Sequence, residues 1–328
     1  MTKKCVGCGV LLQVDDSTKK GFTKSLDMDY CMRCFRLNHY HDYGTNVIEV
    51  DSAKVIQKIN EEAPFVCFFI DILNLYDETI AYFKQIKKPK VLVVSKIDVL
   101  PREIPLTKIA HWLEQEYQIT EKILFVQNTK TSALKMLDFL ERKHISPLYF
   151  AGITNAGKSS LLNRILQVCE EKQPFITVSE MPNTTLDFLK IPLSNQQVLI
   201  DTPGLIYSYY KEDTSFLYKA NVTKRILPQS FYLKPESILN LENKIFVKTN
   251  QQVPIVWFGS DKMKWQKVYK TEMTNWLQYE IKEAMQVFIK GVGFFYVKKP
   301  CVLSIGGVLK ENVTLVKAFL GGNNDEQN

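Results

Sequence analysis

The chain has 328 residues, 45% apolar and 23% charged, with a net charge of +7. That length suits about two domains and can bury a core without disulfide staples, and the composition excludes wholesale disorder. No apolar run reaches the roughly 18 residues of a bilayer span. The N-terminus MTKKCVGCGV lacks both a signal-peptide stretch and an Arg/Ser-rich presequence, so a cytoplasmic protein with no membrane partner is expected.

The first element in chain order is a metal knuckle. Cys5 and Cys8 form one CxxC pair, Cys31 and Cys34 another, with 22 residues between the pairs. In a reducing compartment such pairs read as metal ligands rather than disulfides. Four thiolates suit a tetrahedral zinc site, and Gly7 and Gly9 admit the tight turn of the first pair. A redox dithiol needs one CxxC, not two. His39 and His41 are surplus to the four thiolates and read as exposed or RNA-facing. Cys67, Cys169 and Cys301 read as buried residues.

FVCFFIDI (65–72), VLVV (91–94), ILFV (123–126), PLYFAGI (147–153) and a segment of QVLIDTPG (197–204) follow, with the continuous apolar pattern of strands buried on both faces. Helical stretches around 76–86, 106–117, 132–142 and 158–168 alternate with them. In the last, Leu161, Leu162, Ile165 and Leu166 recur at helical spacing. The alternation predicts an α/β domain with a parallel sheet. After about residue 213, KIFVK (244–248), VPIVWFG (253–259) and CVLSIGGVL (301–309) predict antiparallel strands around a helix at 271–284, an α+β domain. The tail GGNNDEQN reads as disordered. The expected division is a knuckle at 1–45, an α/β domain at 46–213 and a basic domain at 214–328. Residues 215–328 carry sixteen basic and nine acidic groups, which points to a polyanionic partner such as RNA. A monomer is expected.

The strongest chemical motif is Gly152-Ile-Thr-Asn-Ala-Gly157-Lys158-Ser159, between a predicted strand and a predicted helix. That context is what a phosphate-binding loop requires. Its backbone N–H groups, from Asn155 through Ser160 with Ala156 and Gly157, wrap phosphates. Lys158, read as an exposed loop charge, meets the β- and γ-phosphates, and the Ser159 hydroxyl coordinates Mg²⁺. Asp201-Thr-Pro-Gly204 ends the next strand. Asp201 there supports the Mg²⁺ shell, and the Gly204 amide meets the γ-phosphate. Between them Thr184 and Thr185 lie in a polar loop. Thr185 is favoured as a further Mg²⁺ ligand, with Thr184 the alternative. The candidate catalytic residues from these motifs are Lys158 and Thr185; Asn155 joins them only through the resemblance described below.

Ser95-Lys96-Ile97-Asp98 follows the VLVV strand. The Asp98 carboxylate can accept from guanine N1–H and N2–H₂, a donor pair that adenine lacks. Ser95 stands where an Asn is usual, which removes an amide and predicts weaker guanine affinity. The order base motif, phosphate loop, Mg²⁺ motif is a circular permutation of the usual GTPase order.

With CMRCFRLNHY, SKID, GITNAGKSSLLN, PNTTLD and DTPG in hand, the chain resembles the YqeH-type circularly permuted GTPases. KRILPQSFYL (224–233) and IKGVGFFYV (289–297) look like that family's C-terminal domain. The resemblance implies a GTP- and GDP-binding hydrolase, with Mg²⁺ and Zn²⁺, that assists assembly of the small (30S) ribosomal subunit and contacts its rRNA. The family's Ser-Ala loop near guanine O6 is altered here. Gln127-Asn128-Thr129-Lys130 follows the strand, and a literal Ser132-Ala133 lies further on. Leu205 occupies the position of a water-orienting Gln and cannot bind water. Asn155 resembles the asparagine that helps hold K⁺ in GTPases with such a replacement, where the ion neutralises developing charge. An alternative reading is an RNA-binding module with a degenerate, non-hydrolysing nucleotide site, against which intact Lys158, Ser159, Asp201 and Asp98 argue.

Overall fold

The structure, a computed structural model, describes residues 3, 5, 11–16, 21–32, 51–172, 188–193, 197–207, 216, 219–222 and 224–319. Its first layer is a six-stranded sheet of order β3-β2-β1-β4-β6-β5. The strands are β1 (Val66–Asp71), β2 (Lys90–Ser95), β3 (Ile123–Phe125), β4 (Leu148–Gly152), β5 (Leu189–Pro192) and β6 (Val198–Asp201). All pairings are parallel except β5 with β6. Every residue of β1 and β4 is buried, as the unbroken apolar runs require of strands covered on both faces.

Among the described residues, five α-helices accompany the sheet: α1 (Ser52–Glu62), α2 (Asp77–Gln85), α3 (Leu106–Tyr117), α4 (Lys130–Lys143) and α5 (Lys158–Lys172). The last four match the sequence reading. The first was not foreseen. Asp51 caps it, its carboxylate accepting from the amides of Ala53 and Lys54 at 3.1 and 3.3 Å, and Val55, Ile56 and Ile59 bury its inner face. The Asp51 carboxyl is held below the ordinary carboxylate range by its hydrogen bonds to Lys54.

The C-terminal third corrects the α+β expectation. Strands β7 (Gln229–Leu233), β8 (Ile238–Leu241), β9 (Ile245–Thr249), β10 (Val253–Gly259), β11 (Trp265–Val268), β12 (Trp276–Ile281), β13 (Met285–Ile289), β14 (Gly293–Val297), β15 (Cys301–Gly306) and β16 (Val313–Lys317) form two antiparallel sheets. Their orders are β16-β13-β14-β10-β7 and β11-β8-β9-β15-β12. The segment read as a helix at 271–284 contains β12, paired along its whole length with β15. Met273, Trp276, Leu277 and Ile281 mimic helical spacing, but pairing with β15 satisfies the backbone and overrides that local signal.

Alternation places the first of these sheets between two cores. Ile255, Trp257, Val287, Phe295 and Val297 pack toward the second sheet. Phe258, Phe288, Phe294 and Tyr296, at the alternate positions, join the core of the six-stranded layer. Both faces of β10, β13 and β14 are therefore covered, which accounts for apolar runs in an antiparallel sheet.

Candidate nucleotide site

In an open α/β sheet, ligands bind beyond the carboxyl ends of the strands where the order reverses. That point lies between β1 and β4, whose neighbours β2 and β6 run outward on opposite sides. The phosphate loop leaves β4, the SKID segment leaves β2 and the DTPG segment leaves β6, so the topology gathers all three at one edge.

Gly152 ends β4 with φ +150°, and a Cβ there would collide with the Phe69 carbonyl of the neighbouring strand. Only glycine permits the chain to take this φ so close to β1. Leu205 then continues the pairing: its amide donates to Gly152 O and its carbonyl accepts from Thr154 N, both at 2.9 Å. Gly204 lies close under the loop, where a Cβ would sit 2.8 Å from Thr154 Cα. Asn155 is exposed and has φ 60°, a left-handed conformation that asparagine tolerates. Helix α5 begins at Lys158, and its free N-terminal amides and positive dipole end suit an anion. Ser159 and Ser160 are exposed in that first turn, whereas Ala156 is buried.

Lys158 is not the exposed charge the sequence suggested. Its side chain is 8% exposed, with Nζ 2.8 Å from Asp201 Oδ1. Nζ also donates to the Thr202 carbonyl. The structure thus brings together the predicted phosphate-binding cation and the predicted Mg²⁺-supporting carboxylate. Leu205 is fully buried, consistent with a side chain that takes no part in orienting water.

The base motif is joined to this loop. The Ser95 hydroxyl, buried, donates to the Ala156 carbonyl inside the phosphate loop. The residue read as a loss for guanine recognition therefore ties the two loops together. Lys96 is left-handed at φ 57° and begins a 3₁₀ turn over Ile97–Val99 that leaves Asp98 exposed. Ile97 N donates to Val126 O at 3.4 Å, so the loop after β3 borders the motif. There Ser132 and Ala133 are buried in the first turn of α4, and Ser132 Oγ accepts from Gln127 N at 3.2 Å. Asn128 is exposed in that loop.

Sequence reasoning missed one buried polar cluster beneath the motif. Asp71 Oδ2 accepts from Asn74 Nδ2 at 2.8 Å, and Asn74 Oδ1 accepts from the Tyr76 hydroxyl at 3.0 Å. The available signal was Asp71 and Asn74 interrupting the otherwise apolar FVCFFIDILN.

Among the knuckle residues, Cys5 and Cys31 are both 2% exposed and reduced, and Cys5 Sγ accepts from the Cys31 amide at 3.1 Å. Cys8, Cys34, His39, His41, Thr184 and Thr185 lie outside the described residues, as does the tail from 320, and the described residues alone assemble no group of three or more potential metal ligands. Cys67, Cys169 and Cys301 are buried, as read. Burial pushes the thiols of Cys67 and Cys301 up to about 12 and about 11, which keeps them unreactive. No described helix is long and apolar enough to cross a membrane.

The model of the 50S ribosome-binding GTPase family matches residues 148–257. The chain is 28% identical to YqeH of Bacillus subtilis over 254 residues, covering 72% of this chain and 69% of that one. It is 24% identical to the chloroplastic/mitochondrial NO-associated protein 1 of Arabidopsis thaliana, covering 61% of this chain and 43% of that one. Among solved structures, YjeQ from Thermotoga maritima is similar at 21% identity and a TM-score of 0.32, over 45% of this chain and 52% of that one. The chain carries a P-loop GTPase domain and is a GTP-hydrolysing enzyme similar to YqeH.

Proposed function

We propose that this YqeH-like GTPase assists assembly of the small ribosomal subunit, its nucleotide state gating contact with rRNA. The observation that carries the nucleotide half is the joining of three loops: Lys158 on Asp201 at 2.8 Å, and Ser95 on the Ala156 carbonyl. Lys158 leaves Asp201 for the β- and γ-phosphates, and α5 offers them its N-terminal amides. Asp98 reads the guanine edge. The Ser159 hydroxyl and the freed Asp201 carboxylate are oxygen donors of the kind Mg²⁺ takes; the ion supplies charge neutralisation between the phosphates. Thr185 is assigned to the same shell, and Cys5, Cys8, Cys31 and Cys34 to zinc.

K⁺ at Asn155 is proposed as the catalytic charge that Leu205 cannot supply. The left-handed backbone of Asn155 also has its own reason to select asparagine. Hydrolysis in KCl against NaCl at matched ionic strength separates the two: slower turnover in NaCl supports the ion, and equal rates assign Asn155 to loop geometry alone.

The ribosomal half rests on the resemblance to YqeH-type proteins and on charge. Lys264, Gln266, Lys267 and Lys270 are exposed on and around the edge strand β11. Tyr232 and Tyr269 nearby are 55% and 66% exposed, and Lys267 Nζ reaches the Tyr232 carbonyl at 3.3 Å. Cations interleaved with aromatic faces suit RNA phosphates and unstacked bases. Co-sedimentation with separated small and large subunits, in GDP and in a non-hydrolysable GTP analogue, tests this. Nucleotide-dependent recovery with the small subunit alone is expected. Recovery with the large subunit alone assigns the other partner, and recovery with neither removes the ribosomal reading.

A further inference from the structure

Asp71 stands at the carboxyl end of β1, opposite Ser95 of the base motif in the strand register. Its side chain is 2% exposed, and Oδ2 lies 3.5 Å from Lys96 Nζ. A carboxylate at that depth needs partners, and it has three. Oδ1 accepts from the Leu73 amide at 3.0 Å, while Oδ2 takes the Asn74 amide and faces the Lys96 ammonium. The first two are local and would fix Asp71 in any protein. The third reaches across to β2 and takes hold of a residue between the tether Ser95 and the base reader Asp98.

Lys96 also has a left-handed backbone, φ 57° and ψ 30°. An L-residue other than Asn, Asp or Gly adopts that conformation at a cost, and surrounding contacts must hold it there. Two are visible. The neighbouring Ser95 is pinned to the phosphate loop, and the Lys96 ammonium is drawn toward the buried Asp71 carboxylate. Together they set the direction in which the 3₁₀ turn leaves β2, and hence where the exposed Asp98 carboxylate lies.

We propose that Asp71 is a positioning residue for guanine recognition, holding Lys96 so that Asp98 presents its carboxylate to the N1–H and N2–H₂ edge. Asp71 acts through Lys96 and touches no nucleotide. The proposal rests on the reading of Asp98 as the base-specificity residue. It differs from a structural role of Asp71 in one measurable respect. Loosening the β1 end as a scaffold weakens all nucleotides alike, whereas loss of the Lys96 anchor weakens discrimination at the N2 amine.

The experiment compares GDP, IDP and ADP binding by fluorescence competition for the full-length protein and for Asp71→Asn, Lys96→Met and the double variant. Asp71→Asn keeps an acceptor for the Leu73 amide and removes the charge. Lys96→Met keeps most of the apolar stem, removes the ammonium on an accessible residue and covers the case in which the Asp71 variant folds poorly. Each single variant is expected to lose about tenfold in GDP affinity, the size of one charge-assisted contact. The GDP-over-IDP preference should shrink several-fold, and the double variant should bind no worse than Lys96→Met. An unchanged GDP-over-IDP preference in Asp71→Asn, or losses that multiply in the double variant, overturns the role of Asp71 alone. Wild-type protein that binds ADP as well as GDP overturns the Asp98 reading itself.

Discussion

Lys290 Nζ lies 2.6 Å from Glu78 Oε2, joining the turn after β13 to the first turn of α2 across the junction of the two layers. The lysine side chain is 9% exposed and also lies over the Tyr76 ring, 5.4 Å from its centroid. Fully buried Tyr76 packs edge-on against Phe288 of β13 at 5.5 Å and Tyr207 at 6.3 Å, three residues beyond the DTPG segment. Trp112 of α3 adds a second clasp, donating to Lys317 O at 2.9 Å and packing at a tilt against Phe319, 4.8 Å between ring centroids. The segment assigned to the γ-phosphate and the sheet of β13 therefore meet on one aromatic residue, a route by which nucleotide state would reach the layer proposed to meet RNA.

Lys290→Met removes the ammonium from Glu78 and keeps an apolar stem over Tyr76. A hydrogen-bonded charge pair of this burial is worth about 1–3 kcal/mol, so the urea midpoint should fall accordingly. GDP affinity should hold, because no nucleotide-site residue is altered. Urea unfolding with and without GDP checks both, and an unchanged midpoint removes the pair from the list of contacts that hold the layers together.

Lys158→Ala should reduce GTP turnover by at least about a hundredfold, since the only cation of the phosphate loop is lost. The burial of the pair adds a second expectation. Asp201 is 17% exposed at its side chain and loses its 2.8 Å partner, so the nucleotide-free variant should be less stable by about 1–3 kcal/mol. Lys158→Arg separates the two effects: it keeps a charge for Asp201 and misplaces it for the phosphates. Turnover assays beside thermal melts of both variants make the comparison, and near-wild-type turnover by folded Lys158→Ala removes the phosphate-loop assignment.

What the sequence made legible follows from where the information resides. Five strands from β1 to β6, β5 aside, and the helices α2 to α5 were readable because their apolar patterns are local, although β3, at the sheet edge, is only half-buried where burial on both faces was expected. The phosphate loop was readable because Gly152, Gly157, Lys158 and Ser159 sit within one short stretch. The depth of Lys158 was not, because its partner Asp201 is 43 residues away in sequence and meets it only through the β4–β6 pairing. Asp71 escaped for the same reason, its Lys96 contact depending on strand register. The false helix at 271–284 shows the reverse failure, a local pattern defeated by pairing with β15.

Gly204→Ala tests the close approach of the DTPG segment to the phosphate loop. The added Cβ would lie 2.8 Å from Thr154 Cα and 3.2 Å from Thr154 N, both backbone atoms of a loop already hydrogen-bonded to the adjacent Leu205. One of the two segments must move, and strain of this kind costs about 1–3 kcal/mol. Because the Gly204 amide is assigned to the γ-phosphate, GTP should lose more affinity than GDP. Equal losses for the two nucleotides would place the effect in general packing.

The zinc assignment makes the last prediction. Cys5 and Cys31 are buried with Leu12 and partly buried Tyr30 in a cluster separate from the two larger cores. The Cys31 amide donates to Cys5 Sγ at 3.1 Å, which brings one cysteine of each pair together, as a shared tetrahedral site requires. Freshly purified, reduced protein should therefore carry about one zinc per chain, and Cys5→Ser with Cys31→Ser should carry none. Lowering the pH should release the metal as thiolates take up protons. Chelation should raise hydrogen exchange at residues 11–16 and 21–32 while leaving β1, β2 and β4 protected, because those strands are buried in a core to which none of the described knuckle residues contributes. Metal analysis and hydrogen exchange read the two halves independently. Absence of zinc refutes the ligand set, and loss of protection in β1 on chelation refutes the independence of the knuckle.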